Sequence, residues 1–453
     1  MPGNQDTIVA LATPQGTSAI ALIRASGPDT SGLAEALGSS PALPRMARRA
    51  DYRSQAGEPI DTVIATWFKG PHSYTGEDVL EIACHGNPFI AHKILEDLLA
   101  RGCRSAEPGE FTQRAFLNGK LDLTQAEAVM DLIHASSDRA LAAANAQLHG
   151  GLAQRIEALI GSILDLLARI EAYIDFPEED LPPEDRDKAQ RSLLSIKLDI
   201  NSLRSTERYR TLLNNGFKVI IAGPPNAGKS SLLNRLVGRE RALVSSEPGT
   251  TRDFIEERLI IAGHKVRIFD TAGVRESKST LESLGIDKTL EVIEGADVVL
   301  LVVDAADPDL SALPKSLTDK LTTDRVIVVM NKCDLPTAAI PRPIPYPATT
   351  VVHLSALFGQ GTDNLISALS ARLNQLGDHG TDGVAVNARH AEALNLAARA
   401  LESAEAWLGP DTHRIELVAS DLRASLSELS KICGDADNER MLDRLFATFC
   451  IGK

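Results

Sequence analysis

The hydrophobic and polar positions fall into three patterns along the chain. Residues 1–119 alternate short aliphatic or β-branched runs with turn residues, which is typical of strands mixed with helices. Asn87 and Pro88 suit an N-cap and a first helical position. The predicted strands are Thr7–Ala12, Ala19–Ala25, Asp61–Phe68 and Val79–Ala83, and the predicted helix is about Phe89–Ala100.

Residues 120–213 carry aliphatic side chains at helical spacing instead, most clearly between Leu152 and Ile174. The acidic run Pro177–Asp185 interrupts this pattern and is predicted to be a loop, and a second helix is predicted at about Asp187–Asn214. Residues 385–449 return to the helical pattern. Their apolar stripe is Ile415, Val418, Leu422, Leu426 and Leu429.

Residues 216–376 alternate strands and helices at the spacing of an α/β domain, which predicts a mostly parallel sheet with right-handed crossovers. The predicted strands are Phe217–Ala222, Lys265–Asp270, Asp297–Asp304, Arg325–Asn331 and Val351–Ser355.

A phosphate-binding motif follows the first of these strands. Gly223 to Ser230 read GxxxxGKS between a strand and an apolar helix. We expect Lys229 to contact the β- and γ-phosphates and Ser230 to bind Mg²⁺ through its hydroxyl. Asp270-Thr271-Ala272-Gly273 ends a later strand, where Asp270 can support the Mg²⁺ shell and the Gly273 N–H can reach the γ-phosphate.

Two further motifs concern the base. Asn331-Lys332-Cys333-Asp334 closes another strand, and the Asp334 carboxylate can accept two N–H bonds from the N1 edge of guanine. Adenine would leave these groups unpaired, so the motif favours GTP over ATP. The base pocket is completed by Ser355, Ala356 and Leu357.

These motifs resemble those of translation-factor-type GTPases, and Pro248-Gly-Thr-Thr-Arg-Asp253 narrows the resemblance to one subgroup. The whole chain is similar to the MnmE (TrmE) family of tRNA-modification GTPases. The segments that carry this resemblance are Asp6–Pro14, Ser73–Glu81, Cys84–Gly86, Pro108–Glu127, Ile174–Glu178 and Cys450–Lys453. Thr17-Ser18-Ala19 departs from the family's usual Arg-Gly-Gly.

The resemblance implies a fold of class α/β plus α. It comprises an N-terminal α+β domain for folate binding and dimerisation, a discontinuous helical domain, and an inserted Ras-like P-loop GTPase domain with a mostly parallel sheet. The implied limits are 1–119 for the N-terminal domain, 120–215 and 377–453 for the helical domain, and 216–376 for the GTPase domain.

The resemblance also implies the reaction. With the FAD-carrying partner MnmG, in a heterotetramer built on a homodimer, the protein would add a carboxymethylaminomethyl or aminomethyl group to carbon-5 of the wobble uridine of certain tRNAs. The donor would be a 5-formyl or methylene tetrahydrofolate. GTP hydrolysis stimulated by K⁺ and by G-domain dimerisation would drive the cycle.

Residue roles follow the same resemblance. Thr251 would sense Mg²⁺, Glu282 would position water, and Arg24, Glu81 and Lys120 would contact folate. Cys450 is a candidate for a catalytic thiol, and packing is the open alternative. The K⁺ ligands would be Asn226, Ser245, Glu247 and Thr250; further nucleotide or cofactor contacts would be Ala227, Gly228, Ser231, Ser246, Pro248, Gly249, Thr271, Ala272, Lys332 and Lys453.

Composition limits the remaining alternatives. The net charge of −14 argues against a basic nucleic-acid coat, and −10 of it lies in the two helical segments. Arg45, Arg48 and Arg49 form the densest basic cluster, predicted to be a solvated loop and not a tRNA groove. The five cysteines have neither disulfide-framework nor zinc-finger spacing. Without a signal peptide or an apolar run of membrane length, we expect a cytoplasmic protein; the alternative function is a ribosome-assembly GTPase switch.

Overall fold

In a computed structural model, the chain forms two compact units. One comprises residues 1–130, 147–196 and 396–453, and the other comprises 131–146 and 197–395. The residues that the structure describes are 6–37, 43–175, 183–239, 241–242, 255–270, 295–311, 313, 321–322, 324–336, 350–377, 384–408, 414–434, 442, 445–449 and 451–452.

The first unit contains a six-stranded sheet in the order β3-β4-β5-β2-β1-β6. Its strands pair antiparallel, except for the parallel pair of β1 with β6. The strands are β1 Ile8–Leu11, β2 Ile20–Ser26, β3 Arg48–Arg53, β4 Pro59–Phe68, β5 Val79–His85 and β6 Arg104–Ser105.

The second unit contains a seven-stranded sheet in the order β13-β12-β11-β7-β10-β9-β8. The run from β13 to β10 is parallel throughout, whereas β9 and β8 pair antiparallel at one edge. The mostly parallel sheet predicted from the alternating pattern is therefore confirmed. The strands are β7 Phe217–Ala222, β8 Arg241–Ala242, β9 Ile255–Ile261, β10 His264–Asp270, β11 Val298–Asp304, β12 Val326–Asn331 and β13 Thr350–His353.

The helices account for most of the remaining described residues. They are α1 Thr30–Ala36, α2 Pro88–Ala100, α3 Glu110–Leu117, α4 Leu123–His134, α5 Asp138–Leu148, α6 Gly151–Asp175, α7 Pro183–Asn215, α8 Lys229–Arg239, α9 Thr362–Gly377, α10 Ala388–Trp407 and α11 Ile415–Cys433.

The first sheet packs its apolar core against helices on one face, and the second sheet has apolar clusters on both faces. In the first unit Ile94 and Leu98 of α2 and Leu33 of α1 pack onto the buried sheet face. The Asn87 side chain accepts a hydrogen bond from the Phe89 N–H, and Pro88 occupies the first helical position, as the sequence predicts. In the second unit Leu232 and Leu236 of α8 are fully buried in the core beneath β7 and β10.

Helix α6 packs against α11 within the first unit. Val418, Leu422 and Leu429 of the predicted stripe are buried, which explains the helical spacing of the tail. Arg423 of α11 also donates to Glu171 of α6 at 2.6 Å. Among the described helices, none is both long enough and apolar enough to cross a bilayer.

One expectation needs correction. Arg48 and Arg49 do not lie in a loop, because they begin β3, the edge strand of the first sheet. Strand β9 was not predicted, although it pairs with β10 along the full length of both strands. The predicted acidic loop lies mostly outside the described residues, and α7 begins within it, at Pro183.

Candidate functional site

The loop after β7 turns tightly between that strand and α8. Gly223 has φ of +151°, and a Cβ there would lie 2.0 Å from the Val302 carbonyl oxygen. Gly228 has φ of +94°, and a Cβ there would lie 2.2 Å from Asn331 Nδ2. Both positions therefore require glycine. Because the loop enters the N-terminus of α8, its peptide N–H groups and the helix dipole suit an anion such as phosphate.

Lys229, the first residue of α8, folds back over this loop. Its Nζ donates to the Gly223 carbonyl at 3.0 Å and to the Pro224 carbonyl at 2.7 Å. The residue is only 9% exposed. A buried ammonium held at the mouth of an N–H-lined loop can neutralise phosphate oxygens.

Ser230 and Asp270 lie side by side because β7 and β10 are parallel and end at the same edge of the sheet. The Ser230 hydroxyl donates to Asp270 Oδ2 at 3.0 Å, and Asp270 is 1% exposed. A hydroxyl and a carboxylate are hard oxygen donors, so the pair fits a Mg²⁺ ion. In the described part of the chain, no group of three or more His, Cys, Asp or Glu side chains is placed to hold a metal.

Asn331 connects the phosphate loop to the predicted base pocket. Its Nδ2 donates to the Ala227 carbonyl at 2.8 Å, and its Oδ1 accepts from the Ala356 N–H at 3.0 Å. The residue is 2% exposed. One buried amide therefore fixes both ends of the pocket relative to each other.

The neighbouring residues complete this edge. Lys332, at φ of +63°, pairs with Asp304 at 2.8 Å. Asp334 is half-buried beside it. Burial raises the pKa of the Cys333 thiol, so this cysteine is a neutral packing group at neutral pH. Those predicted phosphate, Mg²⁺ and base residues that the structure describes thus lie together at one edge of the second sheet.

A second cluster of predicted site residues lies in the first unit. Arg24 on β2 and Glu81 on β5 are direct cross-strand partners, and Arg24 Nη2 donates to Glu81 Oε1 at 2.8 Å. The guanidinium carbon lies 5.2 Å from the Tyr74 ring centroid and 5.8 Å from that of Phe111. Burial raises the pKa of Tyr74, which keeps its hydroxyl protonated.

The loop that carries Tyr74 also reaches Lys120. A Cβ on Gly76 would lie 3.2 Å from Lys120 Cγ, so the lysine stem lies over this glycine. Asn118 Nδ2 donates to the Thr75 carbonyl at 2.7 Å. The predicted folate residues Arg24 and Lys120 therefore contact the same short loop, through Tyr74 and Gly76.

The C-terminal tail reaches this domain as well. Gly452 has φ of +92°, and a Cβ there would lie 2.4 Å from the Leu11 carbonyl oxygen of β1. Phe449 packs beside Gly109, in the turn before α3. Cys450 itself lies outside the described residues, but described residues on both sides of it contact the N-terminal domain.

Several other predicted positions also lie outside the described residues. They are Ser245, Ser246, Glu247, Pro248, Gly249, Thr250, Thr251, Thr271, Ala272, Gly273, Glu282 and Lys453.

Sequence reasoning missed Tyr74, Phe111 and Arg114 as site residues. All three lie within segments that carried the family resemblance, but their spacing gave no signal, because they meet only in the folded sheet. Burial also raises the pKa of Cys84, and that of Cys103 to about 11, so neither is a ready thiolate nucleophile.

Three features define a P-loop GTPase domain: the parallel sheet, the glycine-bounded phosphate loop, and the Asn331–Asp334 motif at the end of β12. The family model "MnmE helical domain" matches residues 123–450, and "GTP-binding protein TrmE N-terminus" matches 7–120. The first match includes helices that precede and helices that follow the parallel sheet in the sequence. The helical domain is therefore discontinuous, and the GTPase domain is inserted in it. The chain belongs to the MnmE family and is a GTP hydrolase.

Full-length relatives support this membership. The chain is 54% identical to the tRNA modification GTPase MnmE of Opitutus terrae, covering 100% of both chains. It is 41% identical to that of Akkermansia muciniphila, again over 100% of both. The G domain of the T. maritima FeoB iron transporter matches 35% of this chain and 98% of its own length, at 28% identity and a TM-score of 0.27.

Proposed function

We propose that this protein hydrolyses GTP to drive the modification of tRNA. The proposal rests chiefly on the full-length similarity to proteins named tRNA modification GTPases. Asn331 hydrogen-bonds to the main chain of both Ala227 and Ala356, and this arrangement supports a guanine nucleotide as the ligand. The reaction proposed is addition of a carboxymethylaminomethyl or aminomethyl group to carbon-5 of the wobble uridine, with a tetrahydrofolate derivative and the FAD protein MnmG.

In the nucleotide site, Lys229 binds the β- and γ-phosphates, and Ser230 holds Mg²⁺ with support from Asp270. Bound Mg²⁺ neutralises charge that develops on the phosphates. Asp334 accepts hydrogen bonds from the N1 edge of guanine. The Mg²⁺ assignment is supported by the hydrogen bond between exposed Ser230 and buried Asp270, which places two oxygen atoms that suit Mg²⁺ 3.0 Å apart.

Asn226 is proposed as a K⁺ ligand. Asn226 lies in a tight turn of the phosphate loop, where its φ is +63°. Its amide oxygen is a neutral ligand that suits a monovalent cation. Ser245, Glu247 and Thr250 would complete the ligand set, Thr251 would sense Mg²⁺ and Glu282 would orient water. Bound K⁺ supplies positive charge that an arginine finger supplies in other GTPases.

Single-turnover hydrolysis in K⁺ and Na⁺ buffers tests these roles. We expect faster hydrolysis in K⁺, and loss of this preference in Asn226→Ala. Glu282→Ala should bind GTP normally and hydrolyse it far more slowly. Equal rates in both buffers would contradict the K⁺ site, and normal turnover by Glu282→Ala would contradict its role.

In the N-terminal domain, Arg24, Glu81 and Lys120 are proposed to bind the folate. The support is chemical: an ion pair flanked by the Tyr74 and Phe111 rings can contact a flat pterin, and a lysine suits a carboxylate. Cys450 is proposed to act near the donated carbon, and Lys453 to contact the cofactor.

Titration with 5-formyltetrahydrofolate provides the test. Arg24→Ala and Lys120→Ala should each weaken binding at least tenfold, whereas Lys93→Ala on the exposed face of α2 should not change it. Unchanged binding in both variants would remove these residues from the site.

The proposed domain limits are 1–119, 120–215 with 377–453, and 216–376. A homodimer, a heterotetramer with MnmG and a cytoplasmic location complete the proposal. Light scattering of the purified chain, alone and with MnmG, would establish both assemblies.

A further inference from the structure

Arg235 lies on α8, two turns beyond the phosphate loop, and its guanidinium points to the turn after Ser355. Its Nε donates to the Ala356 carbonyl at 3.0 Å, and its Nη2 donates to the Leu357 carbonyl at 2.5 Å. Gly359 lies alongside, where a Cβ would come within 3.4 Å of the guanidinium carbon. One side chain therefore binds two successive carbonyls of the predicted base loop.

Ala356, the first residue of this turn, is buried in the core of the second sheet, but the two large apolar residues that follow it are not. Leu357 is 70% exposed and Phe358 is 65% exposed, so neither large side chain packs the turn in place. Its main chain is fixed by polar contacts: Gly359 N–H donates to the Ser355 carbonyl at 2.7 Å, and Phe358 N–H donates to Ser355 Oγ at 3.3 Å. The Arg235 contacts connect the turn to the phosphate-binding helix.

The planarity of the peptide bond converts these contacts into donor orientation. In a trans peptide the carbonyl and the following N–H point in opposite directions. Holding the Ala356 carbonyl towards α8 therefore directs the Leu357 N–H away from α8. Asn331 Oδ1 meanwhile holds the N–H of Ala356. The Ala356 residue is thus fixed from two sides, by a β12 amide and by the α8 guanidinium.

We propose that Arg235 is a positioning residue for base specificity, which presents the Leu357 N–H to the acceptor at position 6 of guanine. Since it lies on the helix that begins with Lys229, it couples the base loop to the phosphate site. This inference rests on the proposed guanine-nucleotide function and deepens it.

Arg239 supplies a matched control. It lies on the same helix, one turn later, and its guanidinium pairs with the carboxylate of Asp363. The two side chains are 41% and 77% exposed, and neither belongs to the base loop. Arg239→Ala removes the same positive charge from α8 as Arg235→Ala does, but it leaves the hydrogen bonds to the Ala356 and Leu357 carbonyls in place.

The test compares dissociation constants for GDP and 6-thio-GDP, which differ only at position 6, where sulfur accepts a hydrogen bond more weakly. In Arg235→Ala we expect GDP affinity to fall about threefold to tenfold, the effect of about one lost hydrogen bond. Affinity for 6-thio-GDP should fall less, so the preference for GDP shrinks. Arg239→Ala should keep both affinities.

Arg235→Lys retains the positive charge but replaces the planar guanidinium by a single nitrogen, which cannot reproduce both contacts in the same geometry, and it should keep an intermediate preference. The proposal is overturned if both Arg235 variants keep the wild-type ratio of the two dissociation constants, because both nucleotides then lose affinity in equal proportion or not at all. If Arg235→Ala does not fold, the lysine variant alone decides by the same criterion. Failure of the wild-type protein to bind GDP would instead contradict the nucleotide function on which the inference rests.

Discussion

Arg114 is 1% exposed, and three carboxylate side chains surround its guanidinium. Nη2 lies 2.8 Å from Asp6 Oδ1 and 2.9 Å from Glu110 Oε1, and Nη1 lies 3.1 Å from Glu77 Oε2. Glu77 also accepts from the Ser26 hydroxyl at 2.8 Å. The guanidinium thereby fastens α3 and the end of the Tyr74 loop to the start of β1, next to the proposed folate residues.

Arg114→Met should destabilise the N-terminal domain by about 3–5 kcal/mol, because it removes the guanidinium from the largely buried Glu77 and Glu110 carboxylates. Lys93→Met, which removes an exposed ion pair with Glu96, should cost at most about 1 kcal/mol. Urea unfolding followed by Trp67 fluorescence in a Trp407→Phe background would measure both. A cost below about 1 kcal/mol for Arg114→Met would contradict this reading of the network.

Acid should weaken the same network. The Arg104 hydrogen bond holds the pKa of Asp6 below its usual value. For Glu110, burial alone would raise the pKa, but the hydrogen bonds from Arg104 and the Glu107 main chain and those from Arg114 bring it below the usual value. A carboxyl group with a lowered pKa stabilises the fold above its unfolded-state pKa, and this contribution is lost as pH falls through the folded-state pKa.

The unfolding free energy of the N-terminal domain should therefore fall as pH is lowered from about 5 to 3. Arg104→Gln should make this fall shallower. Urea titrations at several pH values would measure it, and the same slope in the variant and the wild type would show that Arg104 does not set these pKa values.

At the scale of elements, burial decided which predictions succeeded. Strand β7 was predicted over its observed span, because a buried parallel strand is a continuous apolar run bounded by Gly216 and Gly223. Strand β3 was missed. Only Ala50 and Tyr52 face the core, between exposed charged residues, and the strand is defined by its pairing with β4.

The packing of α6 against α11 gives a prediction at this scale. Leu422→Ala should cost about 2–5 kcal/mol, because Leu422 is fully buried and its removal leaves a cavity. Leu164→Ala on α6 removes the same atoms from a residue that is 48% exposed and should cost under about 1 kcal/mol. Denaturation followed by helical circular dichroism would measure the difference. Equal costs would contradict the assignment of Leu422 to the α6–α11 core.

The candidate sites also contain residues that could be predicted from the sequence and residues that could not. The phosphate and base residues were predictable, because glycine and polar residues recur at fixed positions after strands, and parallel strands bring their ends together. The aromatic rings around Arg24, the Arg114 network and the Arg235 contacts were not. These groups are far apart in sequence, and only the sheet register and the loop path bring them together.

For the whole molecule, the distribution of charge explains how an acidic protein can belong to a tRNA-modification family. Most of the net charge of −14 lies in the helical segments, so the N-terminal and GTPase domains are close to neutral. The described surface offers Arg45, Arg48 and Arg49 around an edge strand, which also carries Asp51. If the proposed function holds, much of the tRNA-binding surface would belong to the proposed partner protein, while this chain would contribute GTP hydrolysis and bind the proposed folate.

The proposed function requires that GTP hydrolysis by this chain drives wobble-uridine modification. Its most direct test is mass spectrometry of tRNA nucleosides from the native host after deletion of the gene and complementation with wild type or Lys229→Ala. We expect the modified uridine to disappear on deletion, to return with the wild type and to stay absent with Lys229→Ala. Unchanged modification in the deletion strain would contradict the proposed function and favour a GTPase switch without modification chemistry.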